Sequence, residues 1–280
     1  ASTVARVFAD AQRTDDALHW FRQAASMTKG QERARIILES IRVSLRGEGP
    51  RIRYLTSELS EALRYAGDSS ELLEEIVSIA AKSQTDDPIR VEALERLIRS
   101  PAANEKYLLV LASLKLRLGN PGEAVPLFLR YIEDSTAPVS AYKRALQEFR
   151  RAGEPAALLQ LFQDAPDEVR LNPKLVQSTA ALLERRGSRN VARRFYRSLL
   201  KLMEGDPNGR RRLASQLMRR GYHDVALDFY VSVAREVPPG RYDITILRAA
   251  IKAGDLVLAR KHANRYVSAA TRKVQAYEHV

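Results

Sequence analysis

The most constraining feature of this sequence is a repeat with a period close to 34 residues. Five glycines lie 34, 34, 34 and 33 residues apart, and they are Gly119, Gly153, Gly187, Gly221 and Gly254. Five positions after each glycine stands a compact apolar residue. In four of the five repeats an aromatic residue follows four positions later. This period and pairing predict stacked helical hairpins, each of which turns at its glycine.

The repeat extends towards the N-terminus, where Gln12 takes the turn position and Ala17 and Phe21 stand at the same offsets. Two further turns are expected at Arg46 and Gly47 and within the stretch 83–87. The turns then fall near residues 12, 46, 83, 119, 153, 187, 221 and 254, which predicts eight hairpins of amphipathic helices. We expect a single all-α, right-handed superhelical solenoid over residues 1–280. Its two ends lack polar capping helices, which suggests a fragment of a longer array.

Local signals predict where individual helices begin and end. Prolines expected at helix starts are Pro88, Pro121, Pro173 and Pro207. Asn120 and Glu123 have the spacing of a capping pair. Pro126 lies inside a predicted helix, where we expect a bend. Residues 271–280 are expected to open a ninth repeat.

These features make the chain similar to the tetratricopeptide repeat (TPR) family. The resemblance is carried by the turn glycines and by the small–aromatic pairs Ala17/Phe21, Ala124/Phe128, Ala192/Tyr196 and Ala226/Tyr230. It covers most of the chain and is strongest from Glu105 to Tyr266. The small residue lets two helices approach closely, and the aromatic residue fills the wedge against the next hairpin. The resemblance implies a scaffold in which the first helix of each hairpin lines a concave, partner-binding surface.

The chain is strongly basic, with a formal net charge of +12 from 46 Lys and Arg against 34 Asp and Glu. Arginine supplies 36 of the 46 basic residues. This imbalance is consistent with a GC-rich genome. It is equally consistent with a surface for anionic partners, because the arginine fork matches carboxylate and phosphate geometry. Composition alone leaves both interpretations open.

The residues that catalysis or metal binding would need are missing or scattered. The absence of cysteine excludes disulfides, thiolate catalysis and Cys-based metal sites. The four histidines, His19, His223, His262 and His279, show no metal-ligand spacing. No phosphate-binding loop is present, and no apolar run approaches 18 residues. The sequence therefore predicts no enzyme activity, no cofactor, no metal and no membrane span.

Basic residues concentrate at the positions that would face a partner. If the first helices line the concave surface, residues 13, 10, 6, 3 and 2 positions before each turn glycine face inward. In the last five repeats these offsets give 25 positions, of which twelve are basic and one is acidic, whereas the chain average predicts about four basic and three acidic. The predicted partner-binding groove consists of Lys106, Arg117, Lys143, Arg150, Arg151, Lys174, Arg185, Arg211, Arg219, Arg241, Arg248 and Lys252. A wall of one sign of charge favours an anionic ligand.

The first functional expectation is a protein-interaction scaffold whose basic groove binds an acidic or extended segment of a partner protein. The chain also resembles the periplasmic TPR regions of bacterial exopolysaccharide-secretion proteins, which implies a periplasmic location and a role in exopolysaccharide export.

Two alternatives stay open. One is nucleic-acid binding, in which arginine runs contact phosphates. These runs are Arg185-Arg186, Arg193-Arg194, Arg210-Arg211-Arg212 and Arg219-Arg220. The other alternative is direct binding of an anionic polysaccharide along the same groove.

Overall fold

The computed structural model describes residues 1–46, 52–82, 87–99, 104–237 and 241–278, with side chains for all of these except 52–54 and 272–278. Every regular element in these ranges is a helix, which confirms the all-α expectation. The seventeen helices within them are α1 Ser2–Asp10, α2 Thr14–Ser26, α3 Gly30–Arg46, α4 Ile52–Ala66, α5 Ser70–Ala80, α6 Asp87–Leu97, α7 Glu105–Arg117, α8 Pro121–Glu133, α9 Pro138–Ala152, α10 Pro155–Asp164, α11 Asp167–Arg170, α12 Pro173–Arg185, α13 Arg189–Leu202, α14 Pro207–Arg219, α15 His223–Ala234, α16 Asp243–Ala253 and α17 Leu256–Glu278.

Backbone contacts divide the chain into two compact units, Ala1–Ala137 and Pro138–Val280. In the first unit each helix contacts the next, from α1 through to α8. In the second unit α12 packs on α13, α14 on α15 and α16 on α17, while α10 contacts α9, α11 and α12. Each unit is therefore a stack of helical hairpins, the architecture of an all-α solenoid. The expectation of one continuous superhelix over residues 1–280 stays a prediction.

The predicted turn glycines adopt the left-handed backbone that only glycine enters without strain. Gly119, Gly153, Gly187, Gly221 and Gly254 have φ of +81°, +86°, +82°, +80° and +81°. At Gly187 the glycine N–H donates to the Glu184 carbonyl and the next N–H to the Leu183 carbonyl, a Schellman closure. The turns at 119, 221 and 254 repeat these two bonds.

Gln12 confirms the first expected turn, since it is the non-glycine residue in the described ranges with positive φ, at +59°. The N–H groups of Gln12 and Arg13 donate to the carbonyls of Ala9 and Phe8, as in the glycine turns. The turns expected at Gly47 and within residues 83–86 lie outside the described residues. The helices that flank them, α3 with α4 and α5 with α6, pack together as hairpins.

The small–aromatic pairs form the core, as the repeat predicts. Ala17, Ala124, Ala192 and Ala226 are fully buried. Their aromatic partners are Phe21, Phe128, Tyr196 and Tyr230, and each exposes 6% or less of its surface. Burying an aromatic side chain of this size contributes about 1.5–3 kcal/mol. The repeat therefore records the packing between neighbouring helices.

Two local expectations were wrong, and one helix was not predicted. The side chain of Asn120 makes no capping hydrogen bond, and the carboxylate of Glu123 accepts a hydrogen bond from Lys115 at 2.6 Å. Residues 271–278 continue α17 and do not open a new helix, while residues 279–280 lie outside the described part of the chain. The helix α11 was not expected; it follows Pro166, which disfavours a helical backbone at Ala165 and so ends α10.

The four prolines expected at helix starts lie there. Pro121, Pro173 and Pro207 lie in the first turn of their helices, and Pro88 is the second residue of α6. The helix α8 continues through Pro126. The bend expected at that residue stays a prediction.

Candidate functional site

Three first helices of successive hairpins, α9, α12 and α14, lie side by side in the second unit. Tyr142 on α9 and Thr179 on α12 form a buried hydrogen bond between their hydroxyls at 2.9 Å. Gln177 on α12 donates from its amide to the Gln216 side chain on α14 at 3.4 Å. Polar side chains on these three helices are therefore close enough to contact a single partner.

Arginines at the hairpin turns fix the spacing of these helices. The Arg186 guanidinium donates to the Arg150 carbonyl at 2.5 Å, which joins the end of α12 to the end of α9. Arg189 donates to the Arg220 carbonyl at 2.6 Å, and Arg220 in turn reaches the Glu184 carboxylate at 3.3 Å. The turn at Gly187 is thereby tied to the turns before and after it.

All twelve predicted groove residues are exposed on the surface. Seven of them lie on the three adjacent helices α9, α12 and α14, namely Lys143, Arg150, Arg151, Lys174, Arg185, Arg211 and Arg219. Arg248 and Lys252 lie on α16, and Arg241 shortly precedes that helix. Lys106 and Arg117 lie on α7, which belongs to the first unit. The structure therefore groups seven of the twelve, and we name these seven the basic surface.

Most of these cations are free to bind a ligand. Arg117 is held by the carboxylate of Asp87 at 2.8 Å, and Arg151 by Glu148 at 3.0 Å. Lys106 lies over the ring of Tyr107, with 4.8 Å between its nitrogen and the ring centroid. The other nine form no ion pair with any residue in the described ranges. Six of the nine belong to the basic surface.

Spacing along each helix keeps these charges on one side. Lys143 and Arg150 are separated by seven residues, which is close to two helical turns. Lys174 and Arg185 are separated by eleven residues, which is close to three turns. The basic surface thus forms short parallel stripes on neighbouring helices. Whether these stripes line a concave groove stays a prediction.

The structure divides the arginine runs into residues that hold the fold and residues that face solvent. Arg210 is only 3% exposed, and it donates to Glu236 at 2.5 Å and to Ser232 at 3.1 Å. The expectation that Arg210 could contact a phosphate is therefore wrong. Arg186 and Arg220 bind neighbouring repeats as described above, and Arg193 lies 3.8 Å from the Asp224 carboxylate.

Six of the tyrosines that the structure describes lie in the core. Tyr131, Tyr142, Tyr196 and Tyr222 are almost completely buried. Burial raises the pKa of the Tyr142 hydroxyl far above its ordinary value, although the hydrogen bond with Thr179 opposes this rise. Burial likewise raises the pKa of Tyr196 strongly. These rings are not available to stack on nucleic-acid bases, which is how single strands are usually bound.

The described part of the chain offers little of what metal binding, histidine chemistry or a membrane span requires. No group of three or more His, Asp and Glu side chains there could hold a metal ion. His262 and Asp243 form a buried hydrogen bond at 2.6 Å that joins α17 to α16. His279 lies outside the described residues. None of the described helices is both long enough and apolar enough to span a bilayer.

Comparison with known proteins gives structural matches only. No protein-family model and no curated protein matches the chain. A solved structure of the P58(IPK) TPR domain is 16% identical, covers 96% of this chain and 82% of its own, and has a TM-score of 0.23. The Cut9–Hcn1 hetero-tetramer of APC/C is 14% identical over 94% of this chain and 50% of its own, with a TM-score of 0.24. A circular tandem repeat protein is 18% identical, covers 99% of this chain and 64% of its own, and has a TM-score of 0.16. At such low TM-scores, function has to be argued from the residues of this chain.

Proposed function

We propose that this protein is a non-catalytic scaffold whose basic surface binds an acidic, extended segment of a partner protein. The observation that carries the proposal is the group of unpaired, exposed cations on three adjacent helices. The six cations that meet this description are Lys143, Arg150, Lys174, Arg185, Arg211 and Arg219. Several arginine forks that engage one chain of carboxylates add charge-assisted hydrogen bonds that single exposed pairs do not.

The geometry favours a binding role because the helices that present these cations are rigidly spaced. Arg186, Arg189 and Arg220 hold the turns in register through hydrogen bonds to neighbouring repeats. A partner segment therefore meets charges whose separation is fixed before binding, which lowers the entropy lost on association. The buried tyrosines count against nucleic acid, since no base-stacking platform is exposed among the described residues of these helices.

The proposal extends to a cellular setting only through the resemblance noted in the sequence. Similarity to the periplasmic TPR regions of exopolysaccharide-secretion proteins motivates a role in an exopolysaccharide export complex. In that setting an anionic polysaccharide competes with an acidic protein segment as the ligand. The periplasmic location and this pathway stay predictions.

A charge-reversal experiment tests the proposal. The variant combines Arg150→Glu, Arg185→Glu and Arg219→Glu, and a matched control combines Arg235→Glu, Arg260→Glu and Arg265→Glu. All six arginines are exposed and form no ion pair with a described residue, so both variants fall from +12 to +6 in net charge. The probes are a fluorescein-labelled peptide of alternating Glu and Ala, a labelled thymidine oligonucleotide of the same length, and alginate.

We expect the acidic peptide to bind the wild type and the control equally well. In the reversal variant each lost pair costs about 0.5 kcal/mol and each new repulsion about as much, which together give about 3 kcal/mol or a hundredfold loss of affinity. Circular dichroism should show unchanged helix content. Equal peptide affinity in all three proteins would refute the basic surface. Tightest binding of the oligonucleotide with a steep salt dependence would instead establish nucleic-acid binding, and tightest binding of alginate would establish a polysaccharide ligand.

A further inference from the structure

A second site lies in the same unit, between the second helices of two neighbouring hairpins. A cavity of about 550 Å³ opens between α10 and α13, with α11 at its edge. Its apolar lining comes from Leu159 and Phe162 on α10 and from Val191 and Phe195 on α13. A volume of this size is within the range of sites that bind small molecules or peptide side chains, about 300–1,000 Å³.

The helix α10, which forms one wall of the cavity, is shorter than the helices that occupy the same place in other repeats. The helix α10 has 10 residues, whereas α8, α13 and α15 have 13, 14 and 12. It ends at Asp164, which the 34-residue period aligns with Ser198 inside α13.

The ring of Phe195 is partly exposed in this cavity, and the ring of Phe162 lies buried beside it. The rings of Phe162 and Phe195 are 4.9 Å apart between centroids and tilted by 56°. Phe195, Val191 and Leu159 are only half-buried. Half-buried aromatic and aliphatic groups around an open cavity gain free energy when a further apolar side chain covers them, at about 25 cal/mol per Å².

The rim of the cavity is basic. Arg194 is exposed and pairs with no carboxylate among the described residues. Arg170, on the other side, is held by Asp167 at 2.5 Å. Arg194 is therefore the cation that a ligand can use, and the strongly positive chain as a whole supports an anionic ligand.

We propose that this cavity binds a segment of a partner protein in which an aromatic or large aliphatic side chain is followed by acidic residues. The apolar side chain covers Phe195, Val191 and Leu159, and a carboxylate beside it pairs with Arg194. In many protein interfaces one buried aromatic residue supplies much of the binding energy, and charged residues lie around it at the rim. The site is distinct from the basic surface, which lies on the first helices of the hairpins.

Three fluorescein-labelled peptides test the proposal by fluorescence anisotropy. The first has the sequence Gly-Trp-Leu-Glu-Glu, the second Gly-Trp-Leu-Lys-Lys, and the third Gly-Ala-Ala-Glu-Glu. Four variants accompany the wild type: Ser198→Trp, which fills the cavity from an exposed position, Arg194→Glu, the control Arg260→Glu, and the triple reversal of Arg150, Arg185 and Arg219.

We expect the first peptide to bind wild type, and the second and third to bind at least fivefold more weakly. Ser198→Trp should abolish binding of the first peptide, and Arg194→Glu should weaken it about fivefold. Arg260→Glu should leave it unchanged. The triple reversal should also leave binding of the first peptide unchanged. A result against binding at the basic surface is therefore distinct from a result against binding in this cavity.

Equal binding of all three peptides, or full binding to Ser198→Trp, would overturn the proposal. The dye 8-anilinonaphthalene-1-sulfonate supplies a further arm. If the dye binds wild type and not Ser198→Trp while no peptide binds, the cavity takes small amphipathic anions and the peptide ligand is wrong.

Discussion

Replacing two turn glycines by alanine should separate the strain of the left-handed backbone from the loss of an arginine contact. Gly153 and Gly187 have nearly the same φ, +86° and +82°. An added Cβ at Gly187 meets nothing within 4 Å, whereas at Gly153 it lies 2.9 Å from Nη1 and 3.1 Å from Cζ of Arg186. The two substitutions therefore impose similar backbone strain, and only one of them displaces Arg186.

The expected magnitudes follow from these two effects. A left-handed backbone costs an L-residue about 1–2 kcal/mol, and the stiffer unfolded chain of alanine offsets about 0.4–1 kcal/mol of this cost. Gly187→Ala should therefore lose about 1 kcal/mol. Gly153→Ala should lose about 1 kcal/mol more, because Arg186 gives up its exposed hydrogen bond to the Arg150 carbonyl.

Urea unfolding followed by circular dichroism measures both costs. With a slope of about 2 kcal/mol/M, the midpoints should fall by about 0.5 M for Gly187→Ala and about 1 M for Gly153→Ala. Both substitutions are then repeated in an Arg186→Ala background, where the two should cost the same. Equal midpoints for the two single variants in the wild-type background would refute the stabilising contact between repeats.

Three further substitutions test other parts of the structure. Gln12→Gly should stabilise the protein by about 0.5–1 kcal/mol in urea unfolding, because glycine removes the strain of φ +59°; a loss of stability would contradict this. Burial raises the pKa of Glu58, which Arg22 at 4.0 Å only partly opposes, so the ionised carboxylate weakens the fold at neutral pH. Glu58→Gln should therefore raise the Tm at pH 7, and this gain should disappear as the pH falls through the folded pKa to the unfolded value near 4.5; a gain independent of pH would exclude this cause. Arg210→Met should change the free energy of unfolding by less than about 1 kcal/mol, because Glu236 is half-exposed and regains water. Arg210→Ala should lose about 2 kcal/mol, because it leaves a cavity. Equal losses would show that the charge of Arg210 matters more than its packing.

The repeat could be predicted from the sequence because each of its recurring residues meets a single structural requirement. A glycine in the left-handed region and an alanine beneath a neighbouring helix tolerate few substitutes, so they recur at the period of the fold. Gln12 was found by position alone, even though glutamine is a poor residue for such a turn. The shortening of α10 was not found, although Pro166 and its effect on Ala165 are visible in the sequence. The cavity beside α13 depends on side-chain packing, which a periodic pattern does not describe.

The roles of the arginines show where a single sequence stops being informative. Counting back from the turn glycine, the second residue is basic in each of the last five repeats, as Arg117, Arg151, Arg185, Arg219 and Lys252. The residue immediately before the glycine is arginine only at positions 186 and 220, and there it binds the preceding repeat. Within a doublet such as Arg219-Arg220 the two side chains are chemically identical, and a helical step of about 100° decides which faces solvent and which contacts the preceding hairpin. The recurring position is therefore available to a ligand at Arg185, Arg219 and Lys252, whereas carboxylates hold Arg117 and Arg151. The arginine immediately before the glycine stabilises the stack, so reversing Arg219 should weaken binding where reversing Arg220 should weaken the fold. Unfolding and peptide-binding curves for these two variants measure the two effects separately, and a loss of stability in Arg219→Glu equal to that in Arg220→Glu would contradict this division of roles.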